Sequence, residues 1–176
     1  QTAENVAKDA GITREECDQL ALMSHQRAGK AIESGVFTEE IVPVEIKTKK
    51  GVEYYTKDEH FIPDANLESM GKLKPAFKPD GGVVTAANAS GINDGAAALV
   101  IMSKKKAEQL GLKPLGKLLN IVDVGVEPRI MGIGPAVAIP QCLNEAGLKA
   151  SDIDYWEINE AFAPQFIGCE RKLKKD

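Results

Sequence analysis

Residues 83–102, VVTAANASGINDGAAALVIM, constrain the fold more than any other part of the chain. The stretch enters as an extended, β-rich run that predicts a strand, passes through a polar, glycine-containing corner at 88–95, and leaves as an unbroken small-to-large apolar run at 96–102. Gly permits positive φ, and the short side chains of Asn and Ser bond to nearby backbone, so the middle reads as a corner. The exit is short and aperiodic, which predicts a strand covered on both faces, with a buried helical segment as the alternative. Residues before the corner are charged and modular, and those after it have the rhythm of an α/β layer.

In the module before the corner, residues 2–10 predict a short helix stopped by Gly11. Thr13-Arg14-Glu15-Glu16 is a capping box opening a second helix over 14–34, with Gly35 as its stop. His25 on that helix reads as a surface or packing residue. Residues 41–48 predict an edge strand around Pro43. Lys49-Lys50-Gly51 then turn it into a second strand at 52–56. Lys47, Lys49, Lys50 and Lys57 form either a solvated face or a landing site for a polyanionic tail. Asp58-Glu59-His60 contains metal-capable types, but adjacent residues do not chelate by themselves. A proline-bounded stretch with a short helix at 67–73 leads back to the corner.

After the corner, Ser103 caps a predicted helix to Leu110, and residues 115–126 predict a long strand or bent pair. Residues 131–147 form a glycine turn and an amphipathic helix with room for a kink at Pro140. Residues 153–158 predict a strand ending at Asn159-Glu160, followed by a helix over 161–169. A strand end leading into a helix start is a usual place for a site. Few strands are present to flank the buried ones, so missing sequence or a partner chain would complete the sheet.

The chain has 176 residues, 43% hydrophobic and 27% charged, with a formal net charge of -4. That balance excludes general disorder and gives no global pull toward nucleic acid. No run reaches the roughly 18 apolar residues of a spanning helix, so a soluble protein without membrane insertion is expected. Cys17, Cys142 and Cys169 lack zinc-site spacing and fit a reducing compartment. Gln1 at one end and a charged run at the other read as the edges of a segment of a longer protein.

Little of the chemistry is decided by residue type alone. Gly132-Ile133-Gly134 lacks the third glycine of a dinucleotide fingerprint, and Ser90 lacks the spacing of a nucleophile elbow. Ser90 therefore reads as a hydrogen-bonding contact. Asn159 is either a helix cap or an amide aimed at a developing oxyanion or an ordered water. Glu160 is either a general base or a stabiliser of the helix N-terminus.

Three of these stretches, in this order, carry a family resemblance: VTAANASGINDGAAALVIMS, VEPRIMGIGPAVAI and YWEINEAFAPQF. The whole chain resembles the middle of a thiolase, a family that transfers acyl groups to and from coenzyme A. The last two motifs are closer to the degradative 3-ketoacyl-CoA type than to the biosynthetic branch. The resemblance implies a thiolase-like layered α/β fold, present here as a partial chain. Residues 1–83 would be most of the loop domain covering coenzyme A, 84–113 the end of the N-terminal half, and 114–176 the start of the C-terminal half.

By the same resemblance Ser90 contacts the pantetheine arm, and Phe77 and Met131 lie near the acyl pocket or loop surface. Phe162 lies near the pantetheine and thioester, and Asn159 holds an oxyanion-hole water. Ala87 stands where many members have glycine. The nucleophilic cysteine, the Gly-His-Pro histidine and the second cysteine of the family match no residue of this chain. No metal and no permanently bound cofactor are implied; coenzyme A and acyl-CoA are substrates. The full-length protein would be a homodimer or homotetramer, in the cytoplasm of a bacterium or in the mitochondrial matrix or peroxisome of a eukaryote. The isolated segment would be inactive.

Overall fold

The structure, a computed structural model, describes residues 1–174. Helix α1 (Thr2–Ala10) ends at Gly11, whose left-handed φ of 61° lets Ile12 fold back and donate to the Ala7 carbonyl at 2.8 Å. Only a residue without Cβ adopts that conformation cheaply. Helix α2 (Arg14–Glu33) starts as the capping box predicts. Glu16 N donates to Thr13 Oγ1 at 3.2 Å, and Thr13 N donates to Glu16 Oε2 at 2.9 Å. Two orphan amides at the helix start are thereby satisfied reciprocally.

Strands β1 (Val44–Thr48) and β2 (Gly51–Tyr55) form the lysine-bearing hairpin, paired antiparallel from Val44 opposite Tyr55 to Thr48 opposite Gly51. β1 begins one residue after Pro43, later than the sequence suggests, because proline has no N–H for the ladder. Helices α3 (Leu67–Gly71) and α4 (Lys104–Gln109) are each capped by a side chain, Asn66 Oδ1 accepting from Ser69 N and Ser103 Oγ accepting from Lys106 N. A 3₁₀ segment (Pro128–Ile133) feeds α5 (Gly134–Ala146), which runs continuously through Pro140. Helix α6 (Ala163–Leu173) closes the described chain.

The core lies where α1, the 3₁₀ segment and α6 meet. Val6, Ala7, Ile12, Cys17 and Ala163 are buried together, with Ile133 and Ile167 packed at the margin. Gly168 is required there, since a Cβ would stand 2.5 Å from Val6 Cγ1. Arg171 of α6 reaches across to donate to the Ala10 carbonyl at 2.7 Å and pairs with Glu16. This one cation therefore satisfies the end of α1 and braces the start of α2.

Four expected strands are not strands; the entry at 83–87 is irregular and turn. Residues 96–102 are irregular and exposed, with Val100 at 87%. Residues 115–126 and 153–158 are likewise without a ladder, and Leu115 and Tyr155 stand out at 107% and 91%. The reading of 96–102 as a covered strand is thus corrected for this chain. A strand's hydrogen bonds run to a neighbour, and among the described residues only the hairpin forms a sheet. The apolar composition of the last three survives as exposed surface.

Candidate functional site

The site is built by two backbone hydrogen bonds. Ser90 N donates to the Ala161 carbonyl at 2.9 Å, and Ala163 N donates to the Asn88 carbonyl at 2.9 Å, with Ala89 bridged antiparallel to Phe162. The corner after residue 83 is thereby stitched to the chain entering α6. Ser90 and Asn159 consequently line one cavity of about 480 Å³, together with Leu20, Ser24 and His25 of α2.

The corner is itself held rigidly. Glu4 of α1 accepts from Val83 N and Val84 N at 2.9–3.1 Å, and Asn88 Oδ1 accepts from Thr85 N at 2.8 Å. Asn88 Nδ2 donates to Asp18 Oδ1 at 2.9 Å and to the Val83 carbonyl at 2.8 Å. Asp18 in turn pairs with Arg14 at 2.8 Å, and Arg14 donates to the Met70 carbonyl at 2.7 Å. Asp18 and Asn88 are both buried, yet among the described residues no buried side-chain nitrogen or oxygen lacks a partner. A fully satisfied buried network of this kind fixes one geometry.

The two aromatic candidates meet: the rings of Phe77 and Phe162 lie 6.5 Å apart at 66°, an edge-to-face contact. Phe77 also lines a second hollow of about 290 Å³ beside the start of α1, with Glu4, Lys8 and Lys78. Met131 stands apart on the 3₁₀ segment, exposed and lining neither hollow. The capping reading of Asn159 is removed, because α6 begins at Ala163 with Phe162 in the cap position. Glu160 joins Asn159 on the cavity wall.

The sequence, which reads His25 as a surface or packing residue and His60 as part of a metal-capable run without chelating geometry, places neither histidine at the site. Ile62 N donates to His25 Nδ1, and Gly91 N donates to His60 Nε2, each at 3.1 Å. Both rings line the cavity. The two histidines are far apart in sequence, and no local spacing marks them as neighbours. The supporting network of Asp18 and Asn88 is equally invisible in the sequence, since its members meet only in three dimensions.

The buried thiols are chemically quiet. Burial pushes Cys17 up to about 12, with the carboxylates of Asp18, Glu16 and Glu4 adding to the effect. Burial also raises Cys169. The thiolate is the reactive form, so both are poor nucleophiles. With iodoacetamide at pH 8, peptide mass spectrometry of the native protein should find the half-buried Cys142 modified well before the fully buried Cys17 or Cys169. Equal labelling of all three would contradict that difference in burial.

The chain thus brings two polar corners, at 88–90 and 159–160, to one cavity. Its family follows from likeness to known proteins. Residues 1–105 match the family model "Thiolase, N-terminal domain" and residues 112–176 match "Thiolase, C-terminal domain", so the chain belongs to the thiolase family. It has that family's mixed α/β architecture over part of its length. It is 51% identical over 175 residues to the acetyl-CoA acetyltransferase of Escherichia coli, covering 99% of this chain and 44% of that protein. It is 50% identical over 181 residues to the peroxisomal 3-ketoacyl CoA thiolase 1 of Petunia hybrida, covering 99% of this chain and 39% of that one. The crystal structure of the Bacillus anthracis acetyl-CoA acetyltransferase superposes with a TM-score of 0.96 at 49% identity, over 100% of this chain and 44% of that one. The chain thus spans less than half the length of the curated relatives it matches. No helix among the described residues is long and apolar enough to cross a membrane.

Proposed function

We propose that this chain is part of an acyltransferase that cleaves 3-ketoacyl-CoA with free coenzyme A, giving acetyl-CoA and a shortened acyl-CoA. The observation that carries the reading is the stitch between Asn88–Ser90 and Ala161–Ala163, which brings Ser90 and Asn159 to one cavity. Family membership and the names of the matched relatives support it.

In this reading residues 1–83 are most of the loop domain over coenzyme A, 84–113 end the N-terminal half, and 114–176 open the C-terminal half. Ser90 bonds the pantetheine arm, while Phe162, braced edge-on by Phe77, packs near the thioester. Met131 belongs to the rim of the acyl pocket. A cysteine outside these residues attacks the 3-keto carbonyl, the C2–C3 bond breaks, and the acetyl-CoA enolate that leaves takes up a proton from an acid also outside these residues. Asn159 holds a water that donates to the enolate's thioester oxygen as negative charge develops there. That cysteine becomes acylated and then transfers the acyl group to coenzyme A. The burial of Cys17 and Cys169 supports a nucleophile elsewhere. The working unit is a homodimer or homotetramer in a reducing compartment, and the 176-residue segment alone is inactive.

Formation of acetoacetyl-CoA from two acetyl-CoA is a second reading, favoured by the 59% identity to the acetyl-CoA acetyltransferase of Syntrophomonas wolfei in the structural superposition. The test is to assay the full-length protein in both directions with acyl chains of increasing length. Thiolysis of long 3-ketoacyl-CoA supports the first reading, and turnover of acetoacetyl-CoA alone supports the second. Coenzyme A binding without turnover would leave a catalytically inactive acyl-CoA-binding scaffold. Ser90→Ala should raise KM for coenzyme A by roughly three- to tenfold with kcat within about twofold, the worth of one hydrogen bond. An unchanged KM would remove Ser90 from the binding site.

A further inference from the structure

Three segments converge on Ser90 through two imidazoles. His25 on α2 accepts the Ile62 amide at Nδ1, so its ring ties α2 to the 58–62 segment, and it lines the same cavity as Ala87 of the corner. His60 on the 58–62 segment then accepts the amide of Gly91, the residue after Ser90. The fit is close. A Cβ at Gly91 would stand 2.7 Å from His60 Nδ1 and closer still to Cε1, although the backbone there has no positive φ. A side chain at 91 would push the His60 ring aside.

We infer that His60, steadied by His25, is a positioning residue that sets Ser90 for the coenzyme A arm by holding the Gly91 amide. The inference rests on the proposed role of Ser90. The opposite side of residue 90 is held by the Ala161 carbonyl, so the two tethers grip Ser90 from different elements. The titratable groups sharing the cavity with His60 are His25 on α2, Asp58 on its own segment and Glu160 before α6.

Burial holds His25 below the ordinary histidine range; the Ala87 backbone opposes this and the His60 charge reinforces it. The unfolded chain therefore takes up that proton first as pH falls. Stabilisation from neutral His25 is complete above the ordinary value of about 6.5 and is lost as pH drops through the lower folded value.

The test uses the full-length protein with free coenzyme A as the probe. Amide hydrogen exchange in the peptide covering residues 85–93 should quicken about fivefold in His60→Ala without substrate. In His60→Gln, whose amide oxygen can accept at any pH, it should stay at the parent rate. His60→Ala should raise KM for coenzyme A about as much as Ser90→Ala, with kcat little changed, and the double variant should be no worse than either single one. Unchanged exchange in His60→Ala would overturn the tether. Additive KM effects would overturn the positioning role. If Ser90→Ala alone leaves KM unchanged while exchange still responds to His60, the failure lies in the Ser90 contact, and the positioning inference falls with it.

Discussion

Asn159→Ala in the full-length protein should lower kcat/KM for thiolysis by about 10²- to 10³-fold, roughly 2.7–4 kcal/mol of transition-state stabilisation, the usual cost of deleting one oxyanion-hole donor. The size follows from where the amide stands. Asn159 is exposed on the cavity wall two residues before the Ala161 carbonyl that receives Ser90 N, so its backbone is anchored while its side chain remains free for substrate. It caps no helix, and its removal should leave α6 and the melting temperature essentially unchanged. The loss should appear in kcat rather than KM, because the donor is needed most as charge develops on the thioester oxygen. Asn159→Asp should be at least as damaging, since a carboxylate repels the same charge. A kcat/KM within about twofold of the parent would end the proposed role.

Helix boundaries are legible in the sequence because capping is local chemistry. Thr13 with Glu16, Ser103, and the glycines at 11 and 147 announce starts and stops within a few residues, and each does in the structure what its pattern predicts. Strands are not legible in the same way. The run at 96–102 has the composition of a buried strand, yet burial and pairing depend on residues distant in sequence, and among the described residues none pairs with it. The hairpin succeeds because its partner strand starts three residues away.

The site divides along the same line. Ser90 and Asn159 stand out by motif, and their shared cavity is visible only once the chain has folded. His25, His60 and Asp18 carry no motif at all. His60 has metal-capable neighbours in Asp58 and Glu59, yet its Nε2 is occupied by an amide from 31 residues further on. Long-range hydrogen bonds leave no periodic trace, so the support of a site is harder to read than its reacting groups.

Asn88 is where support and site coincide, and Asn88→Ala should cost about 3 kcal/mol of stability in the full-length protein, read as a lower urea midpoint. Three bonds vanish together: the buried Thr85 amide loses its acceptor, and Asp18 Oδ1 and the Val83 carbonyl lose their donor. An orphaned buried group costs about 1–3 kcal/mol, and Asp18 keeps only Arg14 as a charge partner. Asn88→Asp separates shape from charge. It preserves volume and the acceptor for Thr85 N, but sets a carboxylate oxygen against Asp18 in a buried place. Its pair should hold a proton more tightly when folded than unfolded, so its deficit should exceed that of Asn88→Ala at pH 8 and shrink on acidification toward pH 5. Because the Asn88 carbonyl also receives Ala163 N, both variants should loosen the stitch and raise KM for coenzyme A. A midpoint for Asn88→Ala equal to the parent's would mean that the network observed around Asp18 does not hold the corner.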